Sequence, residues 1–90
     1  MARKKRKKNK KLANIVGPQI RELRLGLALT QEQMAAKCQL GGLDISRGTF
    51  SQIEAQLRRV VDSELLLLAK VLKVSTDNLF PSKFRRGRRR

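Results

Sequence analysis

Hydrophobic residues recur at helical spacing through the middle of the chain. Ile20, Leu23 and Leu27 form the first apolar stripe. Pro18 stands just before it, and proline is favoured at the first position of a helix because its backbone already has helical geometry. The pattern predicts a first helix over about residues 18 to 27.

A second helix is predicted to begin after Thr30. Thr30 and Gln33 have the spacing of a capping box, in which each side chain accepts a hydrogen bond from the other residue's free backbone amide. Cys38 falls on the apolar face of this helix, so we expect a small core residue, with a reactive thiol as the alternative. Gly41 and Gly42 then end the helix.

The stretch from Ser46 to Leu57 predicts a third, short helix whose two faces differ. Ser46 is a good N-cap residue. Phe50, Ile53 and Leu57 fall at positions i, i+3 and i+7, so they form an apolar stripe that is expected to face a core. The opposite face carries small or hydrogen-bonding residues, namely Arg47, Gly48, Ser51 and Gln52. Such a face is suited to contact with a polar partner.

Two further helices complete the pattern. Asp62 is a natural cap for a fourth helix, in which apolar residues repeat at helical spacing from Leu65 onward. This helix is apolar enough to lie centrally, with a surplus available for a dimer interface. Ser75 or Thr76 caps a final short turn through Leu79 and Phe80, counted here as a fifth helix, which Pro81 terminates. Because no strand alternation is present, we predict an all-α fold of five short helices.

Charge divides the chain into three regions. Lys and Arg total 22 against 7 Asp and Glu, and a net charge of +15 favours a polyanionic partner. Fourteen of the 22 basic residues lie in two terminal tails without an acid, whereas residues 12–82 carry 8 basic and 7 acidic residues. We therefore predict a basic arm over residues 1–14, a helical domain over 15–81 and a basic tail over 82–90. Both tails are expected to be disordered in isolation, because like charges repel.

The arm is interpreted as a nucleic-acid-binding segment, with a solubilising or cloning-derived extension as the alternative. Other chemistry is limited by the composition, since the chain has one cysteine and no histidine. This excludes a disulfide within the chain, the usual zinc ligand sets and the Ser/His and Cys/His catalytic pairs, so we expect no metal, no cofactor and no enzymatic activity. The leucine run is far shorter than the roughly 20 residues of a membrane span. We expect a cytoplasmic, nucleoid-associated protein with no membrane partner.

Three segments carry a specific resemblance, namely "IRELRLGLALTQEQMA", "ISRGTFSQIE" and "LLLLAKVLKVSTDNLF". Together they make the region from Ile15 to Pro81 resemble the Cro/cI-type helix-turn-helix domain, also called the lambda-repressor-like or XRE family. This region is nearly three quarters of the chain. The resemblance implies a five-helix DNA-binding domain whose third helix enters the major groove.

The resemblance also implies roles for the polar face of the third helix. The family places base contacts at positions that correspond to Arg47, Gly48, Ser51 and Gln52. Arginine can pair with guanine O6 and N7, and glutamine with adenine N6 and N7. The alternative for Arg47 is a phosphate clamp, and Gly48 would allow close approach to a base or to a thymine methyl group.

Phosphate contacts are implied at the start of the second helix and after the third. Gln31 matches the family residue that holds a backbone phosphate, and Thr30 is a cap first and a phosphate donor second. Arg58 and Arg59 follow the third helix and are within reach of phosphates, with solvated surface as an equal interpretation.

Two further positions are assigned to structure. Arg24 and Glu54 match a partly buried ion pair of the family.

The sequence also departs from the family pattern, because the connection before the third helix is about five residues longer. Ala28 and Gln56 replace common glycines, and at the second of these positions a helix often ends in a left-handed residue.

The function expected from these features is sequence-specific binding of double-stranded DNA by a transcriptional regulator, a repressor that binds its operator as a dimer. One alternative is a non-specific nucleic-acid-binding protein that acts through its basic tails. Another is an antitoxin-like module whose leucine-rich fourth helix binds a protein partner.

Overall fold

The computed structural model describes residues 11–84, which form four α-helices and two 3-10 turns. The disorder predicted for the two tails lies outside this range for residues 1–10 and 85–90. Within it, Asn14 is hydrogen-bonded to the domain and Ser82–Phe84 forms a 3-10 turn, so the predicted disorder does not hold at the inner ends of the tails. No strand occurs among the described residues, and the all-α prediction is confirmed. The fifth predicted helix is a single 3-10 turn instead. The elements are α1 (Gly17–Gly26), α2 (Gln31–Leu40), α3 (Arg47–Glu54), α4 (Asp62–Leu72), and the 3-10 turns Thr76–Leu79 and Ser82–Phe84.

Three of the predicted helix starts are confirmed. Pro18 lies in the first turn of α1. The capping box of α2 is complete, because the Thr30 hydroxyl accepts from the Gln33 amide at 3.0 Å and the Gln33 side chain accepts from the Thr30 amide at 2.8 Å. At α3 the Ser46 hydroxyl accepts from the Thr49 amide at 3.1 Å. Each of these caps depends only on residues three positions apart.

The predicted cap of α4 is wrong. Asp62 is the first residue inside the helix, and Val61 occupies the cap position. The Glu64 carboxylate satisfies the free end instead, since it accepts a hydrogen bond from the Val61 amide at 3.1 Å. A carboxylate at the third helical position can reach back in this way and leaves the cap position free for an apolar residue.

Every α-helix contributes to one hydrophobic core. Cys38 is fully buried in it, and burial raises the pKa of its thiol to about 11. The thiol therefore stays protonated at neutral pH, and its assignment to the core is confirmed. The largest fully buried side chains are Phe50, Ile20, Met34, Ile53, Leu68, Leu79 and Cys38.

Two apolar stripes are shorter than predicted. Leu57 is 65 % exposed and Leu27 is 49 % exposed, so neither contributes to the core as expected. Each lies beyond the end of its helix and beside a residue with left-handed backbone geometry, namely Gln56 with φ 64° and Ala28 with φ 59°. Leu57 follows its left-handed residue, so the helical period ends before it. Leu27 precedes Ala28 but is already the C-cap outside α1, so it also leaves the apolar face.

Replacing Ala28 with glycine is expected to stabilise the protein by about 0.5 to 1 kcal/mol, because a residue with a Cβ atom pays a conformational penalty at φ 59° that glycine avoids. The greater freedom of glycine in the unfolded chain offsets part of this gain. Thermal unfolding measures the effect. The matched control is Ala36→Gly at an exposed position inside α2, which should lose about 1 kcal/mol. A lower melting temperature for both variants would contradict the expectation.

The lengthened connection between α2 and α3 is anchored rather than open. Leu43 and Ile45 are buried. The Gln39 side chain donates to the Ile45 carbonyl at 2.7 Å, and Gly42 adopts φ 100°, which only glycine reaches without strain. The extra residues are therefore accommodated in a defined loop, and α2 and α3 still pack against each other.

Candidate nucleic-acid interface

The structure brings the four residues predicted to contact bases together on the outward face of α3. Arg47, Gly48 and Gln52 are exposed, and Ser51 is half-buried. The large apolar side chains of the same helix are completely buried on its other side. One side of α3 thus belongs to the core, while the other presents a guanidinium, an amide and a hydroxyl to the surroundings.

Gly48 leaves open space on this outward face. A Cβ atom at this position would have only the Ser46 hydroxyl oxygen within 4 Å, at 3.8 Å. Glycine inside a helix costs about 1 kcal/mol relative to alanine. Packing within the described domain therefore does not require glycine here, and the α3 backbone remains accessible to a partner that approaches closely.

A buried ion pair joins α1 to the end of α3. The Arg24 Nε and Glu54 Oε2 atoms are 2.6 Å apart, and a second hydrogen bond links Arg24 Nη2 to Glu54 Oε1 at 3.1 Å. Their side chains are only 8 % and 3 % exposed. Arg24 also donates to the Leu29 carbonyl at 2.7 Å. The pair places the carboxyl end of α3 relative to α1 and to the turn that leads into α2.

Gln31 connects this ion pair to the outward face of α3. Its side-chain nitrogen donates to Glu54 Oε1 at 3.0 Å, and its side-chain oxygen lies 3.5 Å from Arg47 Nη1. The second distance is at the long end for a hydrogen bond, so it orients Arg47 only loosely. The side-chain amide of Gln31 is therefore already hydrogen-bonded within the protein, whereas the first backbone amides of α2 point outward and can attract an anion.

The two arginines after α3 differ in their surroundings, although the sequence treats them alike. Arg58 forms a double hydrogen bond with the Glu64 carboxylate, at 3.0 and 2.9 Å. These bonds lower the pKa of Glu64 and raise the pKa of Arg58. Arg59 is exposed. The Arg58 guanidinium thus already has an anionic partner inside the chain.

Asn14 is a structural residue that the sequence pattern did not reveal. Its side-chain nitrogen donates to the carbonyls of Ile53 at 3.1 Å and Arg58 at 2.8 Å. Its side-chain oxygen accepts from the amides of Val16 at 3.1 Å and Gly17 at 2.8 Å. Asparagine two or three residues ahead of a helix start is a recognisable turn signal, but its distant partners are not visible in the sequence. Asn14 is the last residue of the predicted arm, and it thereby attaches the arm to the end of α3.

Two other features, a metal-binding cluster and a membrane span, are absent from the described residues. Within residues 11–84, no three side chains of the metal-binding types lie together. None of the helices in this range has the length and apolar character required to span a bilayer.

Comparison with known proteins identifies the fold. A model of the helix-turn-helix family matches residues 20–79. The restriction-modification controller protein C.AhdI from Aeromonas hydrophila is similar in structure, with a TM-score of 0.63 and 29 % identity over 72 % of this chain and 87 % of that chain. A hypothetical transcription factor from Neisseria, NHTF, shares the fold at a TM-score of 0.66 and 21 % identity, over 79 % of this chain and 76 % of that one.

No curated protein sequence matches the chain significantly. The family match nevertheless covers two thirds of the chain and includes α2, the connection and α3. The chain therefore belongs to the Cro/cI-type (XRE) helix-turn-helix family of DNA-binding transcription regulators.

Proposed function

We propose that this protein binds specific double-stranded DNA sequences by inserting the outward face of α3 into the major groove, and that it regulates transcription from there. The observation that carries the proposal is the composition of that face. Arg47, Gly48, Ser51 and Gln52 lie together opposite the buried core residues of the same helix. The major groove of B-form DNA is wide enough to admit an α-helix presented in this way.

Each residue of the face has a separate task in this proposal. Arg47 pairs with guanine O6 and N7, and Gln52 pairs with adenine N6 and N7, each contributing about 1 to 3 kcal/mol of discrimination. Ser51 donates or accepts a single hydrogen bond. Gly48, whose outward side is open, lets the backbone approach a base edge or a thymine methyl group.

Phosphate contacts position the helix in the groove. The amino end of α2 attracts a phosphate through its free backbone amides. The donors are the backbone N–H of Gln31 and the hydroxyl of Thr30. Arg59 is exposed and offers its full charge to a second phosphate. Arg58 is partnered by Glu64, so its share of phosphate binding is smaller. The basic tails add affinity that does not depend on sequence.

The similarity to a restriction-modification controller protein supports a regulatory role for this chain. We infer that it acts as a repressor by occupying an operator, and that two copies bind two half-sites. Several apolar side chains near the start of α4 are exposed and can contact a second copy of the chain. They are Leu12, Ile15 and Val61. This activity implies a cytoplasmic protein that resides on the nucleoid.

The experiment that tests the proposal is selection of bound sequences from a random duplex pool at near-physiological salt. It is performed with the full chain and with a variant that lacks residues 1–10. Enrichment of an inverted repeat by both proteins supports specific, two-fold symmetric recognition. Failure of either protein to enrich any sequence contradicts it, because the α3 face is present in both.

Replacing Gln52 with alanine is expected to weaken binding to the selected duplex by about 5- to 150-fold, the equivalent of 1 to 3 kcal/mol. Binding to random duplexes should change less than about twofold, since the lost contact is to a base. Fluorescence anisotropy with both duplexes measures the ratio. The control is removal of residues 1–10, which should weaken binding to both duplexes and flatten the salt dependence. An equal loss on both duplexes for Gln52→Ala would argue against direct readout.

One observation favours a second candidate function, which is sequence-independent binding of nucleic acid through the tails. Fourteen of the 22 basic residues lie in the tails, beside a domain with nearly balanced charge. In that case neither protein shows a sequence preference, and the variant without residues 1–10, which keeps seven of the fourteen basic residues of the tails, binds every duplex more weakly. The same selection experiment therefore distinguishes the two functions.

A further inference from the structure

An open, largely apolar groove lies between the carboxyl half of α2 and the carboxyl half of α4. It consists of two adjoining cavities of about 370 and 290 Å³ that share Lys37, Val71 and Lys73. Leu40 and Leu67 line the larger cavity together with Val71. None of the residues that line the groove belongs to the outward face of α3. We call this feature the lysine-rimmed groove.

The apolar lining of the groove lies at the edge of the core, because Leu67 and Val71 pack against the core on one side, whereas Leu40 does not belong to it. Leu40 is 89 % exposed, so nearly all of its side chain is accessible to a partner. Leu67 and Val71 are half-buried, so each keeps part of its apolar surface open to the groove. Accessible apolar side chains that line a concave surface beside a few charged groups are the usual lining of a binding cleft.

Charge around the groove has one sign. Lys37, Lys70 and Lys73 are exposed at its rim, and no acidic side chain lines either cavity. A molecule that carries negative charge beside apolar groups is complementary to this surface. Complementary charges of this kind add to the rate and specificity of association more than to affinity alone.

This charge pattern argues against occupants from the same chain. A second copy placed symmetrically on the groove would bring two sets of three lysines against each other, which is repulsive. The terminal tails are themselves basic, so they do not complement the rim. DNA supplies phosphates for the lysines, but its backbone offers little apolar surface for Leu40, Leu67 and Val71.

We propose that the lysine-rimmed groove binds an acidic amphipathic segment of a different protein. Leucine-like side chains of that segment pack on Leu40, Leu67 and Val71, and its carboxylates pair with the three lysines. A helical segment with apolar residues at i, i+3 and i+7 matches this arrangement. Because the groove and the outward face of α3 share no residue, the protein can bind this segment and DNA at the same time.

The test uses the full chain, labelled with ¹⁵N, and a short synthetic helical peptide that carries leucines at i, i+3 and i+7 flanked by glutamates. The control peptide keeps the glutamates and replaces each leucine with serine. We expect the leucine peptide to shift the amide resonances of Leu40, Leu67 and Val71, and to bind at least about tenfold more tightly than the serine peptide.

Matched variants separate the groove from general attraction to a basic protein. Lys37→Glu with Lys70→Glu should weaken binding of the leucine peptide about tenfold, and Leu40→Ser should weaken it several-fold. Arg21→Glu with Arg59→Glu makes the same change in net charge at exposed positions outside the groove and should alter the affinity less than about twofold. Equal losses for the two charge-reversed variants, equal binding of the two peptides, or shifts centred elsewhere would overturn the proposal.

Discussion

Replacing Arg24 with methionine is expected to lower the free energy of unfolding by about 3 to 5 kcal/mol, because it strands a buried carboxylate. The Glu54 side chain is 3 % exposed. After the substitution, Gln31 is the one side chain among the described residues that still donates a hydrogen bond to the Glu54 carboxylate, at 3.0 Å. The Leu29 carbonyl also loses its donor. A core of this size supplies only about 3 to 5 kcal/mol of stability. The variant should therefore be largely unfolded at room temperature.

Circular dichroism and urea denaturation measure this outcome, and two further variants make it specific. The double replacement Arg24→Met with Glu54→Met should recover most of the lost stability, since it removes the buried charge together with its partner. Arg58→Met breaks the more exposed pair with Glu64 and should cost about 1 kcal/mol or less. If Arg24→Met cost no more than Arg58→Met, the ion pair would not be the structural element that we describe.

The second large effect is expected at Gly17, where alanine should destabilise the protein by about 3 kcal/mol. A Cβ atom there would lie 2.4 Å from the Ile53 carbonyl oxygen and 2.8 Å from that of Glu54. Both obstacles are backbone atoms, so they cannot rotate away as a flexible side chain would. The start of α1 and the end of α3 must therefore separate, and because α3 moves, affinity for DNA should fall as well.

The matched control for this prediction is Gly26→Ala at the other end of α1, where a Cβ atom would have no neighbouring atom within 4 Å. Alanine is the better helix former, so this variant should be neutral or gain about 0.5 to 1 kcal/mol. Thermal unfolding of the two variants side by side measures the difference. Similar melting temperatures would show that the close approach at Gly17 is not needed for stability.

Local sequence was sufficient to predict the helices and the different faces of α3. The caps at Thr30 and Ser46 depend on partners three residues away, so the spacing of side chains reveals them. The period of 3.6 residues places Phe50 and Ile53 on one side of α3. For the same reason the polar face was predictable, and an arginine and a glutamine on such a face are typical of helices that read base edges.

Predictions that depended on distant contacts or on backbone conformation were less successful. The spacing of Leu57 predicts a core position, but the left-handed turn at Gln56 removes this residue from the stripe. The cap of α4 was misplaced because a glutamate inside the helix, not the aspartate at its start, satisfies the free amide. The different surroundings of Arg58 and Arg59 likewise follow from where Glu64 lies in space.

By itself, therefore, the sequence determined the helical segments, the division of charge between domain and tails, and the residues of the outward face of α3. Each of these follows from neighbours within one or two turns of helix or from composition alone. Only the tertiary structure decided that Asn14 attaches the arm to α3, that Gly17 allows two backbones to meet, and that three lysines surround one apolar groove. These features join residues far apart in the chain, and their geometry arises only when the helices pack against each other.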